Sequence, residues 1–299
     1  MEDLINDGSY NIEYATKVRF TPNAKTGELE KNEILTGFYY NNVFTDSELR
    51  LLMDSVLFSR SIPATYKKEV LGKLKGLSNK YFKFSTGNIQ SYESVDREIN
   101  KELFYTIEVL DEAISKGLQV KFLYNEYGTD KKLHHRLNED GQAREYVINP
   151  YTMVANSGKY YLICNYDKYD DLSHYRLDRI SNIELLDTPR KPREQVQGLV
   201  GLDVAQYMAE HIYMFDGKSI RARFEMPRYL ISDVLDFFKA NVDFEDLDKD
   251  RVLATVKVNE NDMRLWARLY AGQIKITEPK ALAALCKQDL ADAIALYEG

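Results

Sequence analysis

The chain has 299 residues, of which 44% are hydrophobic and 29% charged, the balance of a soluble globular protein and not of a disordered one. Its formal net charge of −7 excludes a general nucleic-acid coat, so any nucleic-acid contact must be a local basic patch. The two cysteines, Cys164 and Cys286, are too few for a disulfide framework or an all-cysteine zinc site, and read as small buried hydrophobes of a reducing cytoplasm. No apolar run is long enough to span a bilayer, and the acidic start Met1-Glu2-Asp3 is not a secretory signal.

Residues 1–44 carry too little apolar mass for a core. Alternation in Asn11–Tyr14 and Lys17–Phe20 suggests a hairpin or extended segment, with Asn23–Gly27 as its turn and Gly37–Tyr40 as a further extended piece. Helical period begins at residue 45. Thr45-Asp46-Ser47-Glu48 is a capping-box pattern, followed by Leu49, Leu52, Met53, Val56 and Leu57. Pro63 opens a second helix with Val70, Leu71, Leu74 and Leu77 on one stripe. Ser94-Val95-Asp96-Arg97 opens a third, with Ile99, Leu103, Ile107, Leu110 and Ile114, and Gly117 stops it.

Residues 118–190 switch to period two. Val120, Phe122 and Tyr124 alternate with polar residues, Glu145–Pro150 reads as a strand ended by its proline, and Lys159–Tyr166 follows the turn at Asn156-Ser157-Gly158. His174–Leu177 and Ile183–Leu186 complete a set of short strands with no helix between them, which indicates a small β-barrel or strongly bent sheet. Residues 191–216 read as a linker. Residues 217–299 then run βαββαβ with a trailing helix, the order of a ferredoxin-like split-βαβ unit. The fold class is therefore α+β.

Phosphate loops, HExxH, GxSxG and CxxC are missing, so the chain is read as a non-enzyme with no cofactor. Asp246, Asp248 and Asp250 have the spacing of a calcium loop, but Arg251 stands where glycine is needed and Lys257 where glutamate is needed. Adjacent His134 and His135 point to opposite faces of a strand and make a poor metal pair. The segment Ser173–Ile180 is different. Arg176 and Arg179 offer planar forks for phosphate oxygens; Ser173, His174 and Tyr175 flank them, in the segment nearest charge balance. The bland alternative pairs these arginines with Asp178, Asp170 or Asp171. In a regular strand Arg176 and Arg179 face opposite sides, so joint action needs a strand end or bulge between them.

These segments resemble the WYL-domain family. Lys159-Tyr160-Tyr161-Leu162 sits at the Trp-Tyr-Leu motif, with Tyr160 in place of the tryptophan. Arg144–Tyr151 resembles the preceding strand. Ser173–Ile180 resembles the Ser-Tyr-Arg-x-x-Arg-aromatic signature, with His174 inserted and Ile180 replacing the aromatic residue. Leu265–Gly272 through Thr277–Leu282 resembles the C-terminal extension called WCX.

The resemblance implies a bacterial transcriptional regulator. Its parts are a remnant of a winged helix-turn-helix over 1–44, a helical linker or dimerisation region over 45–117, a Sm/SH3-like ligand-sensing barrel over 118–190, a linker over 191–216 and a ferredoxin-like WCX domain over 217–299. Glu2–Gly8 resembles the last turn of a recognition helix and Asn11–Phe20 the wing. The DNA-reading head is expected to be missing or truncated. The implied ligand is a nucleotide or single-stranded nucleic acid, held by Arg176 and Arg179 with Arg144 and His174 as secondary donors, Tyr175 or Tyr161 as stacking face and Ser173 as orienting hydroxyl. A cytoplasmic homodimer is expected, with no metal and no membrane contact. A free-standing WYL module that modulates a nucleic-acid machine is the alternative.

Overall fold

The computed structural model describes residues 12–40, 44–59, 62–77, 100–239 and 241–298, and divides into two compact units, Met1–Val95 and Asp96–Gly299. The expected start of the third helix at Ser94 and the Glu2–Gly8 turn lie outside the described residues.

In the first unit, β1 (Ile12–Pro22) and β2 (Leu29–Tyr40) form an antiparallel hairpin. Its turn is fixed locally: the Asn23 side chain accepts from the Lys25 N–H at 2.8 Å, and Gly27 takes the left-handed conformation at φ 71°. Val18, Phe20 and Leu29 are exposed. Helix α1 (Asp46–Phe58) has the capping box the sequence specifies, with Thr45 and Glu48 bonded reciprocally. Helix α2 (Ala64–Lys75) packs on α1, where Leu49 and Met53 are buried and Lys67 reaches the Leu57 carbonyl at 3.0 Å.

The second unit opens with α3 (Leu103–Lys116), ended by Gly117 in the left-handed region at φ 68°. A six-stranded sheet follows: β3 (Leu118–Tyr127), β4 (Leu133–His135), β5 (Glu145–Asn156), β6 (Lys159–Tyr166), β7 (Ser173–Arg176) and β8 (Ile180–Pro189). Consecutive strands pair antiparallel from β3 through β5, β6 and β7, and β8 returns to pair with β3, bending the sheet into a barrel-like layer. Two features differ from the sequence expectation. Pro150 does not end its strand: β5 runs on to Asn156, because a register shift between Pro150 and Thr152 absorbs the missing N–H. Helix α3, grouped by sequence with the linker helices, packs on β3, β5 and β8. Its Leu103, Val109, Leu110 and Ala113 share one core with Val120, Phe122, Ile148, Leu162 and Ile180.

Residues 191–216 are more than a linker. A helix α4 (Val204–Glu210) is capped by Asp203, and Val196, Leu199 and His211 are buried. Beyond it come β9 (Ser219–Pro227), α5 (Ile231–Phe238), β10 (Val242–Asp246), β11 (Arg251–Asn259), α6 (Glu260–Leu269), β12 (Lys275–Glu278) and α7 (Lys280–Glu298). The antiparallel strand order β10-β11-β9-β12 is that of a split-βαβ unit. Inward alternation on β9 and β11 buries Ala222, Phe224, Met226, Val252, Ala254 and Val256 with Phe238 and Trp266 of the helices. The acidic run is the solvated β10–β11 turn, clasped by Arg228 on Asp246 at 2.7 Å.

Leu110 tests whether α3 belongs to the barrel core. Leu110→Ala is expected to destabilise the second unit by about 2–5 kcal/mol, measured by urea denaturation. An unchanged midpoint would make α3 a linker that merely touches the barrel.

Candidate functional site: the arginine–tyrosine end of the barrel

Strand β7 sets the site. Its alternation turns Ser173 and Tyr175 toward the barrel core and His174 and Arg176 to the other face, opposite Ile163 and Tyr161 in the register with β6. A single 3-10 turn, Leu177–Arg179, follows immediately, and supplies the strand end that joint action of Arg176 and Arg179 requires.

The two arginines have unequal lives. Arg176 forms a two-bond ion pair with Asp178, Nε to Oδ1 at 3.0 Å and Nη2 to Oδ2 at 2.6 Å, with both side chains largely buried. Its fork is therefore filled from within, as the bland reading of this segment had it. Arg179 is the opposite case: its Nε is buried and has no hydrogen-bond partner. The Arg179 carbonyl is held by the Asn125 side chain at 3.0 Å, and Asn125 in turn receives His135 Nδ1 at 2.6 Å and donates to Ser181 Oγ at 2.8 Å.

Tyr175 and His174 are both engaged within the protein. The Tyr175 ring meets Phe122, Tyr124 and Tyr146 edge-on at centroid distances of 5.4, 5.0 and 5.5 Å. The ring packs, partly buried, against the barrel core, and burial pushes its hydroxyl far above the ordinary tyrosine range. His174 has both ring nitrogens engaged inside the protein: Nδ1 with Asp216 at 2.9 Å and Nε2 with the Tyr207 hydroxyl at 2.7 Å. An aspartate, a histidine and a hydroxyl in line resemble the geometry that activates a nucleophile. Burial raises the Tyr207 hydroxyl far above its usual range. Tyr161 stays half-buried beside Arg176, with burial raising its hydroxyl pKa and Arg176 partly opposing it. Ser173 is partly exposed at the start of β7, its carbonyl accepting from Cys164 Sγ at 3.4 Å.

Arg144 does reach the cluster, and the sequence reading missed its neighbour. The Arg144 guanidinium lies 4.8 Å over the Tyr146 ring and that of Arg136 5.2 Å over Tyr124. Arg136 is joined to Arg144 by the Arg144 N–H on the Arg136 carbonyl at 2.7 Å. Tyr124 links the two halves, its hydroxyl accepting from the Arg176 N–H at 3.2 Å. Arg136 follows the discounted His134–His135 pair, and only the pairing of Tyr124 with Arg136 across β3 and β4 would have marked it. Among the described residues there is no group of three His, Cys, Asp or Glu that could hold a metal. A separate groove of about 370 Å³, lined by Arg221, Asn241, Asp243 and Lys257, opens on the C-terminal sheet, away from these arginines.

Two buried groups near His174 titrate in opposite senses. Burial lowers the pKa of His211, whose ring stacks on Tyr207 at 3.9 Å. Burial raises Asp262 to about 6, although its oxygens accept from the Tyr213 and Phe215 N–H groups at 2.8 and 3.3 Å. The stability carried by neutral His211 is present above roughly pH 6.5 and is lost as pH falls below it. The contribution of Asp262 is full below roughly pH 4 and is lost as pH rises through about 6. Replacing His211 by Gln is thus expected to shrink the stability lost between about pH 7 and about pH 5, as followed by urea denaturation at each pH. Parallel losses in variant and wild type would refute the assignment.

Residues 105–185 match the family model of the WYL domain. Among solved structures the chain is similar to proteasome accessory factor B/C (PafBC) of Arthrobacter aurescens, with 14% identity, 89% of this chain and 39% of that chain covered, and a TM-score of 0.30. It is also similar to a CRISPR Cas-related protein, with 12% identity, 92% of this chain and 68% of that chain covered, and a TM-score of 0.38. No curated protein matches. The Lys159–Leu162 and Ser173–Ile180 motifs both fall inside the matched span, and residues 105–185 of this chain are a WYL domain.

Proposed function

We propose that this chain is the sensing part of a WYL-family transcriptional regulator, and that the arginine–tyrosine end of its barrel binds a phosphate-bearing ligand, a nucleotide or short single-stranded nucleic acid. The observation that carries this reading is the buried Arg179 Nε with no acceptor. A buried donor left unpaired costs about 1–3 kcal/mol, and more when charged. A phosphate oxygen is the acceptor that suits a guanidinium best. Arg136 and Arg144 stand over Tyr124 and Tyr146 in the same cluster, so further phosphate oxygens have cations within reach. Tyr161 is the half-buried aromatic left to face a base. In a chain of net charge −7, such local excess of arginine is what lets an anion approach.

The DNA-reading function belongs to a helix-turn-helix head that the resemblance implies, with β1 and β2 as its wing. No helix among the described residues is long and apolar enough to cross a membrane. Exposed Leu51, Leu52 and Phe58 on α1 give a homodimer an apolar contact. Light scattering at micromolar concentration is expected to report twice the chain mass, and a monomer would end that part of the proposal.

The site itself is tested by titrating mononucleotides and short oligonucleotides at low salt. Arg179→Ala is expected to weaken binding by about 10- to 100-fold, the loss of one charge-assisted pair. Asp178→Asn, which unloads the Arg176 fork, is expected to tighten it. If the wild type binds none of these ligands, or Arg179→Ala binds as the wild type does, the arginines are structural.

A further inference from the structure

We infer that His174 is a strut that makes the arginine turn, residues 177–179, move together with the segment 204–217 ahead of the C-terminal sheet. The ligand reading above supplies the purpose of such a strut, but its geometry stands without it.

Strand β7 is four residues long and lies at the edge of its sheet, paired only with β6 among the described strands. A short edge strand opens easily, because few backbone bonds hold it. What fixes its outer face is His174, whose side chain is only 3% exposed. The carboxylate of Asp216 accepts, so Nδ1 donates at 2.9 Å, and Nε2 is hydrogen-bonded to the Tyr207 hydroxyl at 2.7 Å. Tyr207 lies on α4 and Asp216 just before β9, so one imidazole is tied to both ends of the segment.

Two other titratable groups near the ring are engaged elsewhere. His211 faces it at 5.9 Å between centroids but has its own Nδ1 on the Tyr207 carbonyl at 2.9 Å. The Asp262 oxygens are already held by backbone N–H groups. Apolar contact supports the seam: Ile163, opposite His174 on β6, packs with Val154 and Met214, and Tyr161, Val204, Tyr207 and Met208 close the cluster. Arg176 sits two residues beyond His174 on the same face, and its backbone N–H is pinned by Tyr124. A pull on Arg176 or Arg179 therefore acts on the backbone that His174 anchors.

The test is amide hydrogen exchange on the full chain, comparing wild type with Tyr207→Phe and with Asp216→Ala. Asp216 is well exposed, so its removal leaves the core packing in place. Amides of residues 174–180 are expected to exchange about tenfold faster in both variants, while those of β11 hold their rates. Faster exchange confined to 204–217 would overturn the strut and make His174 a local packing residue. In a second arm, a short oligothymidylate added to wild type is expected to slow exchange in both 177–179 and 204–217, and in Tyr207→Phe only in 177–179. Protection of 177–179 alone in the wild type overturns the strut. If the oligonucleotide protects nothing, the ligand reading fails, and the variant comparison without ligand still decides the strut.

Discussion

Strand β7 is half-buried along its length and packs on both faces, and that constraint places the groups at the barrel end. Tyr175 goes inward among Phe122, Tyr124 and Tyr146, where each aromatic contact contributes about 0.5–1.5 kcal/mol beyond burial itself. His174 and Arg176 are thereby placed on the opposite face, His174 bonded to Tyr207 and Asp216 and Arg176 opposite Tyr161. The 3-10 turn then ends the strand, and Arg179 comes within electrostatic reach of Tyr124. A one-residue slip of β7 would expose Tyr175 and drive arginine into the core, so the register is strongly specified.

Electrostatics divide the arginines into a structural one and an available one. Arg176 is neutralised by Asp178 at short range in a water-poor corner, where opposite charges attract more strongly than on the surface. Arg136 is exposed enough that its 3.3 Å contact with Glu126 is worth little. Arg179 has no such partner, and Arg144 rests on Tyr146 without an ion pair. The tyrosines remain neutral because burial disfavours the phenolate, so they present hydroxyls and ring faces and no competing negative charge.

Buried amides do for the barrel's other side what His174 does for β7. Asn149 accepts from Gln119 at 3.0 Å and from the Lys191 N–H at 2.8 Å, and donates to Asn165 at 3.1 Å. Tyr151 reaches the Lys191 carbonyl at 2.7 Å. These bonds seat residues 190–199 on the barrel, which is why a stretch that reads as a linker carries buried Val196 and Leu199. A polar network of this kind is favourable when every member is satisfied, and costly if one is removed.

The sequence by itself determined what depends on neighbours a few residues away. The Thr45–Glu48 capping box, the Asn23–Gly27 turn, the Gly117 stop and the alternation of Val120, Phe122 and Tyr124 are local preferences, and the family motifs at 159–162 and 173–180 are equally local strings. The α+β class followed from the change of period alone. Tertiary structure decided what depends on residues far apart in the chain. Nothing near Leu110 says that its partners are Val120 and Ile180; nothing near Pro150 says that its strand partner supports a register shift. The bonds of His174 to Tyr207 and Asp216, 33 and 42 positions away, are invisible from its own segment. Arg136 looked unremarkable because Tyr124 reaches it only across β3 and β4. Which arginine is paired and which Nε is left without a partner was decided at the 3-10 turn, where Asp178 closes the fork of Arg176 and nothing meets the Nε of Arg179.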